Sequence, residues 1–263
     1  MTKLLELREL NIKILGKPVV KNVSFDVEPG EVFGLVGESG AGKSLTGRAI
    51  IRLLPPGAEA GGKILFKGND LLAIHEKAMR KIRGKEITLI QQDPVTSLNP
   101  SFKIKDQITD IMKLHLGLTS KEAEAKALEL LKKVGIPSPE KVLNKYPHQI
   151  SGGMCQRVMI AIAFACEPSL VIADEPTTAL DVITQALVIN LMKQIQRQYN
   201  TAIIFITHNL ALALNICDRI AVMNKGVIVE VLDADRVFQD ASHEYTLSLL
   251  SSIPTLEKPL QGE

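Results

Sequence analysis

Tryptophan is absent from this 263-residue chain, and aromatic residues make up only 4% of it. A surface that stacks nucleobases needs aromatic side chains, so single-stranded nucleic-acid binding is not expected. An excess of basic charge is missing too: the net charge is +2 at pH 7, which leaves no electrostatic footprint for nucleic acid. Cysteine is scarce, and Cys155, Cys166 and Cys217 show no metal-ligand spacing such as C-x-x-C. They read as small buried hydrophobes in a reducing compartment. Long apolar runs are also lacking. The longest clean one, Val158 to Cys166, is far short of the roughly 20 residues that cross a bilayer. The start, "MTKLLELREL", alternates polar and apolar residues without a hydrophobic stretch, so no signal peptide is expected. Any work at a membrane would proceed by docking to something embedded there. What is present, 46% hydrophobic and 23% charged residues, is the composition of a folded globular protein. The length suits one large domain, or a core with one inserted subdomain.

Along the chain, "LLELRELNIKIL" and "VKNVSFDVEPGE" read as short strands divided by Gly16 and Pro18. "EVFGLVG" reads as a buried strand running into a glycine-rich loop. "SLTGRAIIRLL" follows as a helix stopped by Pro55-Pro56. "GKILFKGND" and "KEITLIQQDP" read as further strands, the second broken at Pro94. From about residue 95 the pattern turns helical. The clearest helix, Ser120 to Val134, opens on a Thr119/Glu122 capping box and stops at Gly135 and Pro137. Strands resume with "SLVIAD" and "TAIIFITH", with a helix between them over Val182 to Tyr199. "DRIAVMNKGVIVEV" reads as a hairpin turning near Asn224-Lys225-Gly226, and the segment from Asp233 as one or two helices. Strand-loop-helix units with continuous apolar strands predict an α/β fold around a parallel sheet. The expected division is a core of residues 1–94 and 165–232 with a β subdomain, a helical insertion over 95–164, and a tail over 233–263.

Two stretches present backbone N–H groups at a helix start, where the helix dipole favours anions. "QISGGMCQRVMIAIAFACEP" does so at Ser151, Gly152 and Gly153. "GESGAGKS", Gly37 to Ser44, does so more strongly and matches G-x-x-x-x-G-K-[ST] between a strand and a helix. Its glycines let N–H groups close around phosphates, Lys43 adds a positive charge, and Ser44 can ligate Mg2+. "SLVIADEP" ends a buried strand in Asp174-Glu175. Asp174 suits Mg2+ held through water, and Glu175 suits a general base for an attacking water. His208 ends "AIIFITH" at the same sheet edge, where it can contact a γ-phosphate. Gln92, ending "ITLIQQ", can reach Mg2+ or the water. His75, His115, His148 and His243 have no such setting and read as surface or packing residues.

The order of these motifs, Gly37–Ser44, Gln92, "ISGGM", "VIADE", "TALD" and "ITH", resembles the nucleotide-binding subunit of an ATP-binding cassette (ABC) transporter. The resemblance covers almost the whole chain. The longer strings "QQDPVTSLNP", "YPHQISGGMCQRVMIA", "ADEPTTALDV" and "HEYTLSLLSSIP" resemble the peptide/nickel importer family. The resemblance implies a P-loop NTPase core, ATP and Mg2+, and a nucleotide set of Gly37, Ser39, Gly40, Gly42, Lys43, Ser44 and Leu45. It implies catalytic roles for Lys43, Gln92, Glu175 and His208, and metal contacts for Ser44, Gln92 and Asp174. It further implies a head-to-tail pair of cassettes, identical or merely homologous. Ser151, Gly152 and Gly153 of one chain would cap the ATP held by the other, with Asp181 at the same interface. The remaining partners implied are two membrane permease subunits, through the Gln92 loop and the helical insertion, and indirectly an extracytoplasmic substrate-binding protein. The place implied is the cytoplasmic face of the membrane.

Some positions depart from the pattern. No aromatic residue lies between Met1 and Ser24 to stack on adenine, so aliphatic packing near Ile14 or Leu15 is expected. Asn209 stands where an Asp commonly follows the histidine, which predicts a softer loop, and Cys155 replaces a residue often basic or bulky. The short cysteine-free tail leans toward nickel or metal chelates, with peptides equally defensible. The rival readings are a soluble ABC ATPase acting on ribosomes or DNA, and a regulatory cassette without hydrolysis. The first usually carries two cassettes or a long coiled coil. The complete set Lys43, Gln92, Asp174, Glu175 and His208 speaks against the second.

Overall fold

The computed structural model describes residues 3–177 and 182–253. The chain begins with β1 (Leu5–Ile14), β2 (Lys17–Val27) and β3 (Val32–Val36), then α1 (Lys43–Ile50), β4 (Ala58–Phe66), β5 (Asn69–Asp70), α2 (Glu76–Ile82) and β6 (Ile87–Ile90). A run of helices follows: α3 (Pro94–Ser97), α4 (Ile104–Leu116), α5 (Ser120–Lys133), α6 (Pro139–Leu143) and α7 (Gly152–Phe164). The chain then forms β7 (Leu170–Asp174), α8 (Val182–Tyr199), β8 (Ala202–Thr207), α9 (Leu210–Ile216), β9 (Arg219–Asn224), β10 (Val227–Asp233), α10 (Val237–Asp240) and α11 (Glu244–Ser251).

Two sheets result. One has four antiparallel strands in the order β2-β1-β4-β5. The other has six strands in the order β10-β9-β3-β8-β7-β6, parallel throughout except for β10 at the edge. Alternation along the parallel strands assigns their side chains to two cores. Val171, Ala173, Ile203 and Phe205 join the core formed with the helices α4, α5, α7 and α8. Leu170, Ile172, Ile204 and Ile206 join the core formed with α1 and the antiparallel sheet. Burial on both faces explains why these strands read as unbroken apolar runs.

Several expectations shift in detail. The helix after the glycine-rich loop starts at Lys43, inside the motif, and ends at Ile50, well before Pro55. Arg52 has already turned to a left-handed φ of 54°. Strand β4 starts at Ala58 because Ile14 pairs with it there. Pro94 breaks the strand as expected and also opens a short helix, a position where its missing N–H costs nothing. The Thr119 capping box forms: the Glu122 N–H donates to Thr119, and the Thr119 N–H donates to Glu122 at 2.8 Å.

Candidate nucleotide site

Four parallel strands deliver the predicted residues to one edge of the sheet. Past the C-terminal end of β3 comes the loop 37–42, past β6 comes Gln92, at the tip of β7 stand Asp174 and Glu175, and past β8 comes His208. Ligands of open α/β sheets bind at this carboxyl edge. A cavity of about 380 Å3 lies there, lined by Val19, Ser39, Gly40, Gly42, Lys43, Ser44, Leu45, Gln92 and Glu175. A larger cavity, about 960 Å3, opens at the other end of the strands, beside Leu4, Pro29, Ser169 and Asn200. Its cations are already paired, Lys67 with Glu86 at 2.6 Å and Lys3 with Asp26 at 3.4 Å, and Arg8 with Glu6. Among the described residues, each cation of its lining is thus already engaged with a carboxylate.

The loop conformation is forced from outside. A Cβ at Gly37 would collide with the carbonyl oxygen of Met223 on β9, and Gly37 has a φ of 155°. Lys43 is 4% exposed, and its Nζ donates to the carbonyls of Gly37 and Glu38 at 2.7 and 2.8 Å. Burial lowers its pKa, against the raising influence of Glu175 and Asp174. The hydrogen bonds described for this cation go to neutral carbonyls, and the oxygens of an arriving phosphate would be stronger, charged acceptors for it.

The Ser44 hydroxyl donates to Asp174 Oδ1 at 2.7 Å. Burial raises the Asp174 pKa more than this hydrogen bond and the nearby Arg48 lower it. A buried carboxylate beside a hydroxyl is a hard-oxygen pair, and the donor chemistry fits Mg2+. Among the described residues, no cluster of three or more His, Cys, Asp or Glu is arranged to hold a metal. A magnesium ion here would draw the rest of its shell from phosphate and water, as Mg2+ usually does.

Glu175 is held from two sides. Gln92 Nε2 donates to its Oε2 at 3.2 Å, and His208 Nδ1 lies 3.1 Å from its Oε1. Its own N–H donates to the Ile206 carbonyl, while its φ is +47°. A left-handed backbone at a non-glycine costs about 1 kcal/mol or more. Here it swings the carboxylate off the strand and into the cleft.

The residues of the second helix start stand elsewhere. Ser151, Gly152 and Gly153 do not line the cavity. The Ser151 hydroxyl caps its own helix by accepting from the Met154 N–H at 3.3 Å. Among the described residues, a Cβ at Gly152 would meet nothing within 4 Å, and one at Gly153 only Thr184 at 3.9 Å. Asp181 lies outside the described residues.

The aliphatic residues that line this cavity are Val19 and Leu45, and Ile14 and Leu15 are not among them; Leu15 is 82% exposed. Only the antiparallel pairing that brings β2 beside the loop could have placed Val19 there. Asn209 has a definite structural task. Its side chain accepts from the Leu212 N–H at 3.0 Å and caps α9, a task Asn performs about as well as Asp. Cys155 is buried against the Pro147 carbonyl and packs as a small hydrophobe.

Comparison with known proteins agrees with this geometry. Residues 20–178 match the family described as ABC transporter. The oligopeptide transport ATP-binding protein OppD of Bacillus subtilis (strain 168) is 51% identical over 100% of this chain and 75% of its own length. The dipeptide transport ATP-binding protein DppD of the same organism is 45% identical over 98% of this chain and 78% of its own. Among solved structures, cbiO1 of Clostridium perfringens, part of the ABC transporter complex cbiONQ, aligns with a TM-score of 0.78. It is 26% identical and covers 91% of this chain and 92% of its own. A dimeric ATP-binding cassette in a post-hydrolysis state, bound to ADP and Pi, aligns with a TM-score of 0.77. It is 25% identical and covers 88% of this chain and 98% of its own. The phosphate loop and its acidic, glutamine and histidine neighbours thus lie on a known scaffold, and the chain belongs to the ABC transporter family as an ATP-binding, ATP-hydrolysing cassette.

Proposed function

We propose that this chain powers an importer of oligopeptides or dipeptides, with Glu175 as general base and the loop 37–44 as the seat of ATP. The observation that carries this reading is the convergence of Lys43, Ser44, Gln92, Asp174, Glu175 and His208 at one sheet edge. The peptide class is preferred over nickel or metal chelates because the relatives named above are described by peptide transport.

The backbone N–H groups of Ser39, Gly40 and Gly42, with Lys43, Ser44 and Leu45, hold the phosphates at the start of α1. Lys43 exchanges its two carbonyl partners for phosphate oxygens. Ser44, Asp174 and Gln92 would hold Mg2+, which would supply positive charge to neutralise those oxygens. Glu175 accepts a proton from water as the water oxygen bonds to the γ-phosphorus and the bond to the ADP oxygen breaks. His208 and Gln92 are hydrogen-bonding neighbours of the same carboxylate, and they orient it and the water. Little reorganisation is then needed during the reaction, which is the main source of rate in such sites.

A second cassette, packed head-to-tail, would complete each site with its Ser151, Gly152 and Gly153. The exposed first turn of α7 supports this, since the chain's own structure leaves both glycines open on that side. Asp181 is assigned to the same interface by resemblance. Two permease subunits would meet the helical insertion over 95–164, which sits between the core segments 1–94 and 165–232. A substrate-binding protein outside the cell would deliver peptide to them. No described helix is long and apolar enough to cross a membrane, so attachment to the cytoplasmic face would run through the permeases. Glu175→Gln is the direct test. The variant is expected to bind ATP, to lose hydrolysis, and to accumulate ATP-dependent dimers on gel filtration. Normal hydrolysis would remove Glu175 from the role of base.

A further inference from the structure

The end of β9 and the turn after it form the back wall of the phosphate loop. The Met223 carbonyl crowds Gly37, and the Gly226 N–H donates to the Ala41 carbonyl at 3.0 Å. A third contact comes from the C-terminal helix: the Glu38 N–H donates to the Tyr245 hydroxyl oxygen at 3.1 Å. Glu38 lies within the loop, and its carbonyl is one of the two that hold Lys43. Residue 38 is therefore gripped at both ends of its backbone, by Lys43 on one side and by α11 on the other.

Helix α11 is itself anchored. Glu230 on β10 accepts from the Ser242 and His243 N–H groups at 2.8 Å each, and from the Ser242 hydroxyl at 2.7 Å. Burial opposes the charge on Glu230, but the hydroxyls of Thr246 and Ser242 and the two N–H groups outweigh it, and its pKa falls to about 2. Thr246 is fully buried, and Tyr245, Leu249 and Leu250 pack on the main core. The position of the Tyr245 hydroxyl is thus set by a carboxylate anchor and by packing, both remote from the nucleotide.

We propose that Tyr245 is a positioning residue of the nucleotide site, through which α11 fixes the phosphate loop in its binding conformation. The inference rests on the loop being the seat of ATP. When a phosphate draws Lys43 away from the Gly37 and Glu38 carbonyls, those residues lose that tie, and Glu38 keeps the Ala41 N–H at 3.2 Å on its carbonyl. The Tyr245 hydroxyl remains on the Glu38 N–H and holds this stretch against collapse or rotation. The "HEYTLSLLSSIP" segment is then part of the ATPase and not an appendage to it.

The test is Tyr245→Phe in the full chain, assembled with its partner cassette and permeases. The ring keeps its core packing, and only the hydroxyl goes. Loss of one such hydrogen bond predicts an ATP KM raised by about 3- to 10-fold, with kcat within twofold of wild type and a melting temperature lowered by about 2–4 °C at most. Amide exchange over residues 34–41 should quicken in the nucleotide-free variant. Glu230→Gln, which weakens the anchor without touching the loop, should shift KM in the same direction. An unchanged KM in Tyr245→Phe, or a loss of kcat and stability together, would overturn the proposal. Wild type and Lys43→Ala are compared in the same assay. If Lys43→Ala binds ATP like wild type, the assignment of the loop fails; if only Tyr245→Phe is silent, this inference fails alone.

Discussion

The two helix starts of this chain look alike in sequence and differ completely in their surroundings. At α1 the glycines are required by the protein's own interior. Gly37 faces the Met223 carbonyl, and Gly42, with a φ of 104°, faces the Met223 and Val20 side chains. Lys43 and Asp174 furnish the site with charge, and Ser44 with a hydroxyl. At α7 nothing among the described residues requires the glycines. Gly152 borders open space, Gly153 makes one ordinary contact, and the Ser151 hydroxyl is spent on its own helix. An internal demand explains the first set. The second set points to a demand from outside, which is what a shared site between two cassettes would impose.

Breaking both halves separately probes that difference most strongly. Lys43→Ala should cut turnover by about 10²–10³-fold and weaken ATP binding. Gly153→Asp should cut turnover as deeply, by placing bulk and negative charge where an anion docks, yet leave ATP binding to its own loop intact. The fold tolerates an acid there because the helix dipole favours one. If the subunit pairs with itself, a mixture of the two variants can rebuild one kind of site. Partial recovery of ATPase activity would establish sharing. Full activity of Gly153→Asp alone, in either a self-paired or a mixed assembly, would reduce "ISGGM" to a helix cap.

A smaller effect separates charge from fold at the first site. Burial raises the Asp174 pKa, so the ionised carboxylate costs stability above its ordinary value of 3.8. That cost appears as pH rises through 3.8 and is complete above the folded value. Asp174→Asn removes the charge and keeps an acceptor for Ser44. The nucleotide-free variant should therefore melt higher than wild type at neutral pH, with the gain vanishing below 3.8, while hydrolysis is lost. An unchanged melting temperature at neutral pH would mean that the buried charge is already compensated.

The smallest effect sharpens the comparison directly. Gly152→Ala should stabilise the chain by up to about 1 kcal/mol, because alanine favours helix and no neighbour obstructs it. The same change at Gly37 should destabilise, since its methyl would strike the Met223 carbonyl. Denaturant unfolding of the two variants gives opposite signs if the glycines answer to different demands.

Local chemistry was enough to read most of the site from the sequence. A phosphate loop announces itself because strand, glycine spacing, lysine and serine are contiguous. "VIADE" and "AIIFITH" announce themselves because acids and a histidine end apolar runs. The Thr119 capping box and the bounds of α8 needed only neighbouring residues, and both were found as expected. Contacts between distant residues could not be read in this way. Val19 reaches the cavity through sheet pairing, Gln92 and His208 share one carboxylate only because β6, β7 and β8 are adjacent, and Tyr245 reaches Glu38 across 207 positions. The sequence by itself determined which residues are candidates for the chemistry, because each motif is a short run with its own periodicity and turn residues. Only the tertiary structure decided which glycines the fold needs and which helix braces the phosphate loop, because those follow from the approach of chains that packing alone brings together.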